Sequence, residues 1–212
     1  MDILDHQEST QEFTDKEVLT KIWITPYPVF KFIRERGYEK NLWPILILIA
    51  AANVLTHDNS LSISGDFLIF VLLFFKVVAS IIVTFVFMYI YAGLVSWTGG
   101  WIGGRPQTWN IYKVISFASI PTICTIAIWV LRQLIVGTIS FEEIESSEHD
   151  LSFMMLMAYA LSLAEFVLSI WALVLLVIGV SEAQQFGAGK AILNLLFPIL
   201  IFVIPIWLIV AL

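Results

Sequence analysis

The chain has 212 residues, of which 59% are hydrophobic and only 13% charged, with a formal net charge of −6. Soluble domains average roughly 45–50% apolar and about 25% charged residues, which excludes water as the main solvent here. Nucleic acid is excluded as a ligand because no basic stripe exists to neutralise phosphates, and the acidic excess, confined to the N-terminal tail and residues 142–150, points to no partner of its own.

Residues 1–20 read as a polar, disordered tail. The first ~40 residues contain no apolar h-region, so a removable signal peptide is not expected. An amphipathic interfacial segment follows over 21–40. Thr25 precedes Pro26 as an N-cap precedes a first-turn proline, and Gly37 is a C-terminal stop, so a short helix is predicted over 26–36. Phe30 and Ile33 lie three apart among Lys31, Arg34 and Arg36, which suits a helix at the headgroup boundary. A water-facing cap packed under the bundle is the alternative.

Crossing a ~30 Å hydrocarbon core takes about 20 apolar residues at ~1.5 Å each. Five apolar stretches fill the membrane domain, 41–212: they are 42–56, 67–96, 111–137, 151–180 and 191–212. The first is short enough that a re-entrant helix competes with a span. Charge favours five crossings. With five, Lys31, Arg34, Arg36, Lys40, Arg105, Lys113 and Lys190 share the cytoplasmic side and only Arg132 faces outward. The expected fold is an all-α integral membrane protein, a five-helix transmembrane bundle with a short N-terminal amphipathic interfacial helix, N-terminus cytoplasmic and C-terminus outside.

Pro44 opens the first stretch, Pro121 interrupts the third, and Pro198 and Pro205 interrupt the fifth. Interior prolines delete a backbone donor and kink the helix. Ser116, Ser119, Thr122 and Thr125 stand near Pro121 to satisfy freed carbonyls. Cys124, the sole cysteine, lies in this stretch, so an intrachain disulfide is impossible.

Lys76 follows Asp66 by ten residues and Glu165 follows Leu151 by fourteen, placing them about 15 and about 21 Å below the outer face. Such depths cost ionisable groups at least ~2.5–3.5 kcal/mol each. Lys76, Ser80 and Thr84 form one polar stripe and Ser162, Glu165 and Ser169 another, which predicts a Lys76–Glu165 ion pair with Arg132 as a third member. The pair either fixes helix register or belongs to an ion path. On the outer face His57, Asp58, His149 and Asp150 are weak metal candidates without ligand spacing, so no metal site and no cofactor is expected.

Gly99, Gly100, Gly103 and Gly104 form a cytoplasmic glycine loop that lets backbone turn sharply. No Lys-Ser/Thr follows and no strand precedes it, so it is not a phosphate cradle. The run Ser96-Trp97-Thr98-Gly99-Gly100-Trp101-Ile102-Gly103-Gly104, followed by Ser116-Phe117-Ala118-Ser119-Ile120-Pro121, resembles the membrane domain of the Yip (Ypt-interacting protein) family in its prokaryotic type. Trp23-Ile24-Thr25-Pro26 upstream and Gly179-Val180-Ser181-Glu182-Ala183 downstream are similar too, extending the likeness over about 20–212. The resemblance implies a five-helix domain with a cytoplasmic N-terminus. Eukaryotic relatives serve Golgi and endoplasmic-reticulum trafficking. This chain lacks their Asp-Leu-Tyr-Gly-Pro element and has a short tail, which puts GTPase binding in doubt and suggests a bacterial inner membrane, with Golgi or endoplasmic reticulum as the alternative. No Ser/His/Asp set, paired intramembrane aspartates or zinc-helix motif supports an enzyme. The expected role is a non-enzymatic scaffold or adaptor in the lipid bilayer that binds a second copy or other membrane proteins. The alternative is a small transporter or channel component using the Lys76–Glu165 pair.

Overall fold

The computed structural model describes residues 12–57, 67–136 and 148–211, and among them every regular element is helical. These are α1 (Asp15–Lys21), α2 (Pro26–Arg36), α3 (Leu42–His57), α4 (Phe67–Trp101), α5 (Thr108–Ala118), α6 (Ile120–Ile123), α7 (Thr125–Val136), α8 (Glu148–Gln184) and α9 (Ala188–Ala211). Two are long and apolar enough to cross a membrane, through Phe70–Trp101 in α4 and Phe153–Gln184 in α8. A third crossing requires α5 to be joined with α6 and α7 across a break bent by 41°. Counted over the described residues alone, the apolar stretches Leu42–Leu55 in α3 and Ala188–Ile201 in α9 are shorter.

The bend falls at Ser119–Pro121, where proline was expected to kink the third stretch. Hydroxyls take up backbone carbonyls around it: Ser116 donates to Tyr112 at 2.9 Å, Ser119 to Ile115 at 2.8 Å, Thr122 to Ser119 and Thr125 to Thr122 at 2.6 Å each. In lipid no water could serve those groups, so the side chains beside the break keep it stable.

α1 replaces part of the expected tail. The Glu17 carboxylate accepts from the Thr14 N–H and hydroxyl, both at 2.9 Å, closing the first turn. Val18 and Ile22, four residues apart, are fully buried, and Phe13 meets Phe32 edge-on at 5.4 Å. Polar composition hid this short helix, although Thr14-x-x-Glu17 and the Val18/Ile22 spacing both mark it.

Hydrogen bonds from Lys21 and then from Thr14 lower the Glu17 pKa from 4.5 to about 2. A folded-state pKa below the unfolded one stabilises α1 above about pH 4.5, and that contribution disappears as pH falls through about 2. Hydrogen-exchange protection of α1 is therefore expected to drop across that acid window while the spans stay protected. Undiminished protection below about pH 3 would refute it.

α2 has the predicted limits, and Gly37 ends it at φ +61. Its apolar face does not meet headgroups: Val29, Phe30 and Ile33 are buried, and α2 packs on α5 and α8. Gly179 provides the seat, since a Cβ there would collide with Val114 and lie 3.0 Å from Phe30. A side-chain stripe on one helix cannot by itself distinguish lipid from protein as its partner.

α4 packs on α3, α5 and α9, whereas α8 packs on α2, α5, α6, α7 and α9. This gathers the C-terminal ends of α4 and α8, the N-terminal ends of α3, α5 and α9, and the α1–α2 cap at one end of the bundle. Most of the fully buried core lies there, including Phe30, Ile33, Tyr112, Phe117 and Val180. Few residues of the apolar stretch of α4 are fully buried, and one of its faces, with Phe74, Phe75, Ile82 and Phe87, is exposed.

Candidate functional site

At the capped end, three helices meet around one carbonyl. Val95 O accepts from Gln184 Nε2 and Asn194 Nδ2, each at 3.0 Å, and the Thr98 hydroxyl is 2.7 Å from Asn194 Oδ1. Thr98, Gln184 and Asn194 are fully buried. Buried amides are costly unless bonded, so this clasp strongly favours one register of α4, α8 and α9.

The glycines serve the clasp. Gly99 and Gly100 were expected in a loop but belong to the last turn of α4, and the turn itself begins at Ile102. A Cβ at Gly99 or Gly104 would collide with the Gln184 amide, whereas Gly100 faces open space. Of these four, only Gly103, at φ +86, needs glycine for its backbone angle. Gln184 Oε1 has no hydrogen-bond partner among the described residues and lies against the space that a Cβ would take at Gly99 and Gly104. Gly104 N–H then bonds Gly99 O at 2.9 Å, Arg105 N–H bonds Gln184 O at 3.2 Å, and Lys190 Nζ donates to Ile102 O at 3.1 Å.

Beside the clasp, the guanidinium of Arg34 on α2 grips Glu182 on α8 through Nη2 at 2.8 Å and Nε at 3.1 Å. The Tyr27 hydroxyl also bonds Glu182, whose negative charge raises the phenol pKa. Lys113, with 2% of its side chain exposed, places Nζ 3.5 Å from the Glu39 oxygen that accepts from Trp109 Nε1 at 2.6 Å. Replacing Glu182 with leucine is expected to weaken cap docking by about 2 kcal/mol, the scale of a charged hydrogen bond. The readout is hydrogen exchange in α1–α2. Unchanged cap protection would show that the apolar seat alone holds it.

Of the expected intramembrane charges, the structure joins two. Arg132 Nη2 lies 3.1 Å from Glu165 Oε2, with 34% and 27% of the side chains exposed. A Lys76–Glu165 bridge is not among the ion pairs of the described residues; Lys76 is on an exposed part of α4. Helical rise gave comparable depths for the two charges but could not fix the direction of each stripe. α8 packs on α7, bringing Glu165 to Arg132. The Lys76 stripe turns toward α3 at Ser80, whose hydroxyl donates to Ala50 O at 3.0 Å. Asp58 lies outside the described residues, and for His57, His149 and Asp150 only helical backbone is described.

Sequence reasoning passed over the clasp. Asn194, an amide inside an apolar run, was the available signal; Gln184 sits at a helix end where exposure is the ordinary expectation.

Comparison with curated proteins and with solved structures gives no match. A family model described as the Yip1 domain matches residues 20–209, which include the clasp, the glycines around it, the Arg34–Glu182 contact and the bent helix. The chain is a multi-pass membrane protein and belongs to the Yip1 domain family.

Proposed function

We propose that the chain is a five-span, non-enzymatic scaffold that associates with other membrane proteins or a second copy. The spans are α3, α4, the bent α5–α7, α8 and α9, whose ends alternate at the capped face. The basic residues Arg34, Arg36, Lys40, Arg105, Lys113 and Lys190 lie toward that face, which favours a cytoplasmic N-terminus, and the missing Asp-Leu-Tyr-Gly-Pro element favours a bacterial inner membrane. One observation carries the scaffold reading: the amides and hydroxyls at the capped end and around Pro121 are engaged within the protein itself. Thr98, Gln184 and Asn194 close on one another and on Val95, while the hydroxyls around Pro121 bond their own backbone. The outward face of α4 is then the contact surface. A photo-crosslinking residue at the exposed Phe87 should capture a defined membrane protein or a second copy in native membranes. Lipid adducts alone would sink the reading.

A transporter or channel component is the second reading. The Arg132–Glu165 pair, in an apolar region beside a broken helix, favours it. Proteoliposome flux that disappears in Glu165→Gln would promote it over the scaffold.

A further inference from the structure

With α8 as a span, Glu165 lies in the hydrocarbon wherever the bilayer is drawn. It stands twelve residues, about 18 Å, after the start of the apolar stretch Phe153–Gln184 and nineteen, about 28 Å, before its end. A core ~30 Å thick cannot be placed within that stretch of 32 residues, about 47 Å, without enclosing Glu165. Yet the protein leaves 27% of this side chain and 34% of its partner Arg132 exposed. Charged groups at such depth ordinarily face a bundle interior or a wet cavity.

The outward face continues along α8 on both sides of the carboxylate. Ser162 and Ser169, three residues before Glu165 and four after it, are exposed. The ion pair itself is a single contact of 3.1 Å from Arg132 Nη2 to Glu165 Oε2. A guanidinium has five N–H donors and a carboxylate two oxygens, so each group can take a second charged partner.

Charge selects that partner. A patch with one cation and one anion at a single depth is complementary to itself: a two-fold axis along the membrane normal sets each guanidinium against the other copy's carboxylate. A foreign helix would have to bring both signs to that depth, whereas a second copy has them there already. The small serines let two α8 helices approach closely, and polar contacts join helices in lipid.

We propose that the chain forms a two-fold dimer across α7 and α8, in which Arg132 and Glu165 of two copies close a four-charge ring. The proposal deepens the scaffold reading by naming a second copy, and it uses α7 and α8 rather than the α4 face.

Oxidative disulfide cross-linking in native membranes tests the contact in the full chain with Cys124→Ser and its charges intact. Ser162→Cys and Ser169→Cys should each give several-fold more covalent dimer than Leu163→Cys, which is exposed on another side of α8. Yields at 162 and 169 no higher than at 163, or a product whose mass is not twice that of the chain, overturn the proposal. Co-expression of differently tagged copies tests the ring. Arg132→Glu and Glu165→Arg should each abolish self-association, while the two variants together co-purify, because every pairing across the axis is then opposite in sign. A pair confined to one chain gains nothing from mixing, so co-purification no greater in the mixture overturns the shared charges. The cross-linking arm decides the contact even where the charge variants fail to fold. A partner captured from Phe87 without dimer through 162 or 169 separates the readings: the α7–α8 contact falls and the scaffold stands.

Discussion

Gly99→Ala is expected to lower stability in detergent by about 2–4 kcal/mol, whereas Gly100→Ala should be neutral or slightly stabilising. The two glycines are neighbours in the last turn of α4, so the ~1 kcal/mol helix-propensity gain from alanine is common to both. Their surroundings differ. A Cβ at Gly99 collides with the Gln184 amide, and a Cβ at Gly100 meets nothing. Moving Gln184 aside breaks its bond to Val95 O in a fully buried site, which costs about 1–3 kcal/mol, and crowding adds a similar amount. Shortening Gln184 to alanine should make the second substitution, Gly99→Ala, nearly harmless because the collision is gone. Thermal melting of the four variants by size-exclusion profile measures this. Equal losses for Gly99→Ala and Gly100→Ala would show that α4 and α8 do not meet as described.

Glu165→Leu is expected to cost about 2–4 kcal/mol and Arg132→Met less, because an abandoned guanidinium cannot shed its charge while an abandoned carboxylate can take up a proton. The double change should recover most of the loss, since no charge is left to desolvate. The pair is only partly buried, which keeps the magnitude below the ~3–5 kcal/mol of a fully enclosed one. Lys76→Met should add independently to Glu165→Leu, because Glu165 is satisfied from α7. A melting-derived coupling that is strong between residues 76 and 165 and absent between 132 and 165 would reverse the assignment.

Backbone signals were read well from the sequence. Pro26 and Gly37 bracketed α2, and Pro121 with its hydroxyl neighbours marked the bend, because proline and glycine act through local geometry. Side-chain direction was much less legible. Lys76 and Glu165 came out at similar depths, yet depth along a helix does not say which neighbour a stripe faces; that depends on α8 lying against α7. The Phe30–Ile33 face was amphipathic as expected, but its partner was the Gly179 groove, built some 150 residues later in the chain. The glycines at 99 and 104 were singled out as turn formers when their stronger requirement is room for Gln184. A single apolar pattern encodes burial, and the identity of what covers it belongs to the whole chain.

The clasp also bears on the order of assembly. Val95 acquires its two side-chain donors from positions 89 and 99 residues further along the chain. As the polypeptide leaves the ribosome, Gln184 of α8 is the first side chain that can reach this carbonyl, and the second donor, Asn194, comes only with α9. The final helix is therefore the bolt of the structure, and a nascent chain stopped before Asn194 would remain open at its polar end to proteolysis and to capture by other membrane segments.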